Sequence, residues 1–299
     1  MKRIYLLCIF GLIISFSSGQ EKRNVRSGKG INISSKRHHR TEAKQKVNVV
    51  GTKGVQPLFG EDYRNYEITD NVLAGGCFFL VCGHGGPDPG ALAKVDGHSL
   101  HEHEYAYDII LRLARNLLQH GATVHIIIQN PKVGIRDGKY LENSNNQTCG
   151  GKAIPLSQLA RLKQQTDEIN RLNFRSKEKY KRAIFIHLDS RSKKKQLDVF
   201  FYYQKMKQNK VRSLRLAETM QKTFRSLYDK HQPDRGFSGT VSTRPLYVLR
   251  NTTPVSVFLE LANMQNTNDQ RRYILEDNRQ ALANWICAGF IKDFQSSSR

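Results

Sequence analysis

The chain has 299 residues, 48 Lys+Arg against 26 Asp+Glu, a formal net charge of +22 and 38% hydrophobic residues. That length and apolar content support a sizeable core, and they exclude a disulfide mini-protein, a collagenous chain and a fully disordered one. Only one apolar stretch approaches membrane length, which excludes a multi-span membrane protein.

That stretch is N-terminal. Met1-Lys2-Arg3 is basic, Ile4 to Phe16 is almost wholly apolar, and Ser17-Ser18-Gly19 are small. Residues 1–20 therefore read as a cleaved export signal, with an uncleaved anchor as the alternative. The run is too short to span a bilayer comfortably as a helix, and no other stable membrane span is expected. Export places the protein in the periplasm or cell envelope, or outside the cell. Cleavage leaves Cys77, Cys82, Cys149 and Cys287. None forms a CxxC pair, so no cysteine zinc cage is expected. One or two disulfides and simple burial as small hydrophobes both remain open. Cys77 and Cys82 sit on opposite phases of one strand and are not expected to pair with each other.

Charge is unevenly spread. Residues 21–60 carry a net +8, residues 61–160 a net −3 and residues 161–235 a net +13. Residues 21–65 read as a basic flexible arm, because few large apolar side chains are present to offset ordering entropy. Residues 66–296 form the expected catalytic domain. Its basic segment lies in periodic sequence and reads as a charged folded surface suited to an anionic partner. No RNP, zinc-finger or homeodomain signature is present, so nucleic acid is not the expected partner.

The predicted elements alternate. Gly75 to Val81 is a short, fully apolar run, as in a strand buried on both faces. Tyr105 to Gln119 has helical periodicity and stops at Gly121. Ala122 to Ile128 reads as a strand, 130–155 as a long polar surface loop, and Leu156 to Leu172 as a basic helix. Strands follow at Arg182 to Leu188 and Leu197 to Tyr203, then a helix over Ser213 to Tyr228. Strands at Pro245 to Leu249 and Val255 to Leu259 precede a closing helix, Glu276 to Phe290, which carries Trp285. The pattern predicts an α/β fold: a mostly parallel, mixed, twisted sheet with helices on both faces in one three-layer domain.

Sites in such sheets gather where strands end at their C-terminal side. His84 follows the first strand within a glycine-rich turn, His187 ends the strand RAIFI, and Glu260 ends VSVFL. The segment His98-Ser-Leu-His101-Glu102-His103-Glu104 opens the first helix. Two imidazoles and a carboxylate make a catalytic zinc set that leaves one position for water, and a further carboxylate can serve as general base. A buried carboxylate on an apolar strand is costly unless paired or functional, which singles out Glu260. His125 reads as a structural residue. The residues alone leave Glu102 and Glu104 equivalent, and both are also suited to a helix N-terminus.

Four motifs in order resemble the zinc-dependent N-acetylmuramoyl-L-alanine amidases of the amidase-3, or cell-wall amidase, family. The first is Val81-Cys82-Gly83-His84-Gly85-Gly86-Pro87-Asp88-Pro89-Gly90-Ala91. The second is Glu102-His103-Glu104-Tyr105-Ala106-Tyr107-Asp108-Ile109-Ile110, and the third is Phe185-Ile186-His187-Leu188-Asp189. The fourth runs from Val248-Leu249-Arg250 through Pro254-Val255-Ser256-Val257-Phe258-Leu259-Glu260. The resemblance covers roughly Phe78 to Ile291. It implies one Zn2+ held by His84, Glu102 and His187, choosing Glu102 over Glu104, and Glu260 as the catalytic carboxylate. It further implies hydrolysis of the amide between N-acetylmuramic acid and L-alanine by a zinc-activated water, with Arg250 as a candidate oxyanion donor. Peptidoglycan is the implied substrate, and a regulatory activator protein is a candidate partner. Asp88 and Asp108 either orient the metal ligands or cap local structure.

Two departures stand out. Val81-Cys82 replaces the usual Asp-Pro, and Glu260-Leu261-Ala262-Asn263-Met264-Gln265-Asn266 replaces the usual ELGFxSN ending. The loop 130–155 and the basic stretch 191–215 are candidates to cover the groove. The alternative to an enzyme is an inactive module that holds envelope polymer through its basic faces. The complete set His84, Glu102, His187 and Glu260 argues for catalysis over that alternative.

Overall fold

A computed structural model describes residues 49–190, 195–205 and 208–297. The export signal, the arm up to residue 48 and part of the 191–215 stretch lie outside the described residues. Six strands form the main sheet: β1 (Gly76–Cys82), β2 (Thr123–Ile126), β3 (Tyr180–Asp189), β4 (Phe200–Tyr203), β5 (Thr240–Thr243) and β6 (Val255–Asn263). Among the described residues the α-helices are α1 (Glu102–Gln119), α2 (Gln158–Arg175), α3 (Lys210–His231), α4 (Tyr247–Asn251), α5 (Thr267–Ile274) and α6 (Glu276–Ser297).

The strand order is β5-β4-β6-β3-β1-β2. β6, β3, β1 and β2 run parallel, whereas β4 pairs antiparallel with β6 and parallel with β5. The sheet is thus mixed, as the sequence predicts. Its central strands read as continuous apolar runs because both faces are covered: every residue of β1 and of β6 is buried. α1, α6 and α3 pack side by side along the sheet. The path steps outward from β1 to β2 and then back over β1 to β3, so right-handed crossovers put α1 and α2 on opposite faces.

Several expectations are corrected. Residues 53–65 do not belong to a flexible arm: Lys53–Val55 pairs with Asn65–Glu67, and Phe59 between them is fully buried in the core. Few but well-placed apolar residues anchor this segment, whose two cations are matched by two carboxylates. Pro245 to Leu249 is not a strand. Pro245 and Leu246 lead into α4, which buries Val248 and Leu249. The loop 130–155 is not a plain surface loop. It carries two strands, Thr148–Cys149 and Lys152–Ala153, of a small antiparallel sheet whose third strand, Ile128–Gln129, precedes it, and it buries Asn130, Leu141 and Gln147. β5 and α5 carry no periodic apolar signal, being TVST at a half-exposed edge and TNDQRRYI in a polar turn of helix. The strands with His187 and Glu260 continue to Asp189 and Asn263. Cys77, Cys82, Cys149 and Cys287 are all buried free thiols.

A buried ionic cluster ties α1 to α6. Asp108 accepts from Arg112 Nε at 2.8 Å, from Arg279 Nε at 2.6 Å and from the Arg136 backbone N–H at 2.8 Å. Arg279, fully buried, also donates to the carbonyls of Tyr273, Arg136 and Gly138. Removing one member leaves the others charged and desolvated, a cost of about 3–5 kcal/mol. Asp108→Ala should lower stability by about that amount in urea unfolding, and a loss below about 1 kcal/mol would contradict a structural role for the cluster.

Candidate active site

β1 delivers the chain to Gly83 and His84, where the fully apolar strand gives way to a turn. His84 adopts a left-handed backbone with φ of 66°. Its Nδ1 lies 2.9 Å from Asp88 Oδ2, which leaves Nε2 directed at Glu102 Oε2, 3.2 Å away. Asp88 is itself held by Arg161 Nη2 at 2.6 Å and by the Gly90 N–H at 3.1 Å. An imidazole whose outer nitrogen is fixed by a carboxylate is oriented for metal ligation through the inner one. Asp88 therefore orients the His84 ring, whereas Asp108 belongs to the ionic cluster.

A two-stranded hairpin, Leu92–Val95 with His98–His101, leads into α1 so that Glu102 is its first residue. The Glu102 carboxylate is buried and saturated. Oε2 accepts the Ala91 N–H at 2.8 Å, and Oε1 accepts the Leu188 N–H at 3.0 Å and lies 2.9 Å from His187 Nδ1. His187 comes from β3 and stacks on Phe258 with ring centres 4.3 Å apart. One ligand atom from each of His84, Glu102 and His187 lies within 4.8 Å of the others. Glu104, two residues on, turns away to Arg136, His103 and the Ser144 N–H.

The donor set fits zinc, which takes imidazole and carboxylate ligands and keeps an open position in catalytic sites. The backbone clears room for these side chains at two points. A Cβ on Gly83 would stand 2.2 Å from His187 Cε1, and one on Gly90 would stand 2.7 Å from Glu102 Oε2 and from His84 Cδ2. The charges are arranged accordingly. Burial opposes ionisation of Glu102, but His84 and His187 outweigh it and hold its carboxyl below the usual range. Burial likewise opposes charge on His84, yet Glu102 and Asp88 prevail and push it up to about 10. Burial wins at His187, whose pKa is lowered. A positive charge beside Glu102 is what the pocket favours.

Glu260 stands next to this cluster because β3 and β6 pair in register, with His187 opposite Glu260. It is 5% exposed, and Arg244 Nη1 lies 3.7 Å from its Oε1. All four residues open onto a cleft of about 340 Å³, whose other walls include Gln158, Arg161 and Gln165 of α2 together with Arg244 and Tyr247. Arg250 is exposed on α4 and is not among the cleft's lining residues. No described residue of 130–155 lines the cleft. His125, half-buried, stacks on Phe79. Arg161 and Arg244 were not singled out by sequence. For Arg161 a signal exists, since Gln158, Arg161, Leu162 and Gln165 recur at helical spacing on one face. Arg244 sits in the unpatterned stretch before Pro245 and carries none.

Fold and site together define a three-layer α/β domain with a His–Glu–His cluster and a buried carboxylate at one end of its sheet. Residues 79–292 match the family model described as N-acetylmuramoyl-L-alanine amidase, amidase-3. The chain belongs to this family, and it is an amide hydrolase of peptidoglycan. The fold is similar to AmiC2 of Nostoc punctiforme, an N-acetylmuramoyl-L-alanine amidase, with 20% identity and a TM-score of 0.52, covering 74% of this chain and 98% of that one. It is equally similar to the CwlD amidase from Clostridioides difficile, solved in complex with the GerS lipoprotein, with 22% identity, a TM-score of 0.52 and coverage of 74% and 98%. Cwp6 from Clostridium difficile matches with 19% identity and a TM-score of 0.52 over 73% of this chain, which spans only 29% of Cwp6. No curated protein matches the chain. No helix among the described residues is long and apolar enough to cross a membrane.

Gly83→Ala should fold and yet take up no Zn2+ where the unmodified protein is expected to take up one, because His187 has to leave its position. Metal content by mass spectrometry checks this, and full occupancy in a folded Gly83→Ala protein would contradict the placement of His187.

Proposed function

We propose that this protein hydrolyses the amide between N-acetylmuramic acid and L-alanine, with one Zn2+ held by His84, Glu102 and His187 and with Glu260 as general base and acid. The observation that carries the proposal is the convergence of three ligand atoms within 4.8 Å beside a buried carboxylate in register with one of them. Bound there, the cation would supply Lewis acidity and lower the pKa of a water in its open position.

The remaining work falls to the chain's own groups. Glu260 accepts a proton from the attacking water as its oxygen adds to the lactyl carbonyl carbon. It returns that proton to the alanine nitrogen as the C–N bond breaks, and the second water proton passes from the new carboxyl to the released amine, giving a lactyl carboxylate and an ammonium. Arg244, rather than the more distant Arg250 expected from sequence, is the cation placed to counter charge developing at the carbonyl oxygen. Asp88, gripped by Arg161, holds the His84 ring so that Nε2 faces the metal position. The walls of α2 and α4 exclude bulk water and fix the stem peptide.

We further propose that residues 1–20 export the protein to the cell envelope, and that the basic segment 21–48 binds anionic wall polymer ahead of the catalytic unit. A regulatory partner outside the cytoplasm is proposed by extension from CwlD, whose structure holds the GerS lipoprotein.

Glu260→Gln should keep zinc and lose about 100-fold or more in turnover, read as stem peptides released from purified peptidoglycan by mass spectrometry. Chelation should abolish release in the unmodified protein, and restored zinc should recover it. Release that survives exhaustive metal removal, or turnover unchanged in Glu260→Gln, would overturn the proposal.

A further inference from the structure

Unmatched positive charge gathers at the end of the sheet opposite the cleft. β3 starts there at Tyr180, seven residues and about 23 Å of extended chain before His187. The end of α2 and the start of α3 flank the same spot. Asn170 Nδ2 donates to the Asn251 carbonyl, Asn170 Oδ1 accepts the Thr253 N–H, and Asn209 Nδ2 donates to the Thr253 carbonyl, each at 2.8 Å. Residues 170–181 hold five cations and one carboxylate, and residues 205–215 hold five cations and none. The one carboxylate, Glu178, is turned onto the Thr123 and Ser176 hydroxyls, each at 2.6 Å. Lys179 and Arg212 are exposed, and neither forms an ion pair among the described residues.

A cavity of about 450 Å³ opens between these segments. Lys179, Arg212 and Arg215 give it charge, Tyr180 and Phe294 give it an aromatic lining, and no carboxylate lines it among the described residues. The nearest acid lies behind the wall. Asp293, fully buried, accepts from Arg182 Nε at 2.7 Å, from the Tyr180 hydroxyl at 2.7 Å and from Arg215 Nε at 3.3 Å. Two guanidiniums thus share one counter-charge, and the Arg215 side chain stays 41% exposed. Like charges crowded on one face repel, and an anion brought into the cavity relieves that repulsion.

Two apolar side chains decide which anion fits. Phe174 is 90% exposed, one turn beyond Asn170 on the same side of α2, and Val211 is 77% exposed, two residues after Asn209. A soluble polyanion gains little from an exposed Phe and Val, whereas a bilayer interface takes up apolar and cationic side chains together. We infer that this end of the domain is a docking face for an anionic lipid surface. Phe174 and Val211 enter the headgroup boundary, Lys179, Arg212 and Arg215 hold lipid phosphates, and the cavity seats one headgroup. The cleft, at the far end of β3, then faces away from the bilayer. The inference stands apart from the reaction proposed for the cleft.

Fluorescence of the full chain carrying Phe174→Trp tests this. Trp285 is the only native indole, and it lies twelve residues of α6, about 18 Å, before Ser297 at the cavity. Vesicles of mixed phosphatidylglycerol and phosphatidylcholine should shift the introduced indole's emission to the blue, and brominated acyl chains should quench it. Phosphatidylcholine alone should do neither, and the unmodified protein should show neither change. Val211→Trp should respond in the same way from α3. Lys179→Glu combined with Arg212→Glu should weaken the response by about 25-fold or more at unchanged thermal unfolding. Vesicle binding that leaves both introduced indoles unquenched would place the attachment elsewhere in the chain and overturn the inference. Equal responses to neutral vesicles, or a response to soluble polyphosphate with none to vesicles, would overturn it as well.

Discussion

The site depends on one buried carboxylate. Glu102 begins α1, and its two oxygens bind the Ala91 and Leu188 N–H groups and face both imidazoles. Those contacts join the loop after β1, the hairpin before α1 and the end of β3, three segments far apart in sequence. A desolvated negative charge is unfavourable unless a cation compensates it. The side chains nearest to it are two neutralising rings that can hold either a proton or a metal. Everything else around the cleft, from Asp88 on His84 to Phe258 under His187, limits how those rings can move.

The rest of the fold serves that placement. Parallel pairing of β3 with β6 puts Glu260 beside His187 whatever the loops do, because the register is set by a fully buried strand against a largely buried one. The buried cluster of Asp108, Arg112 and Arg279 fixes α1 against α6, and through α1 it fixes the height of Glu102 over the sheet. The loop 130–155 contributes from below: Arg136 and Ser144 bind Glu104 and hold the first turn of α1. A basic chain thus spends part of its arginine excess inside, orienting carboxylates, and the remainder on surfaces that favour anionic polymer.

Much of this was legible in the sequence where apolar runs meet chemical residues. GGCFFLV before Gly-His-Gly-Gly, RAIFI before His187 and VSVFL before Glu260 mark buried strands and the residues at their ends. The choice of Glu102 over Glu104 was not legible from chemistry alone, since both suit a helix start, and only the resemblance of the whole motif separated them. Elements without apolar periodicity stayed hidden: the edge strand TVST, the polar helix TNDQRRYI, and the segment 53–65 that looks like arm but buries Phe59. The place of Arg244 beside Glu260 arises from tertiary convergence, which no local pattern encodes.

Zinc K-edge X-ray absorption on the zinc-loaded full chain tests the centre most directly. Two imidazole nitrogens and a carboxylate oxygen at about 2.0–2.2 Å, with no sulfur, are predicted. Sulfur in the first coordination sphere, or a spectrum unchanged when His84 and His187 are both replaced by Ala, would contradict it.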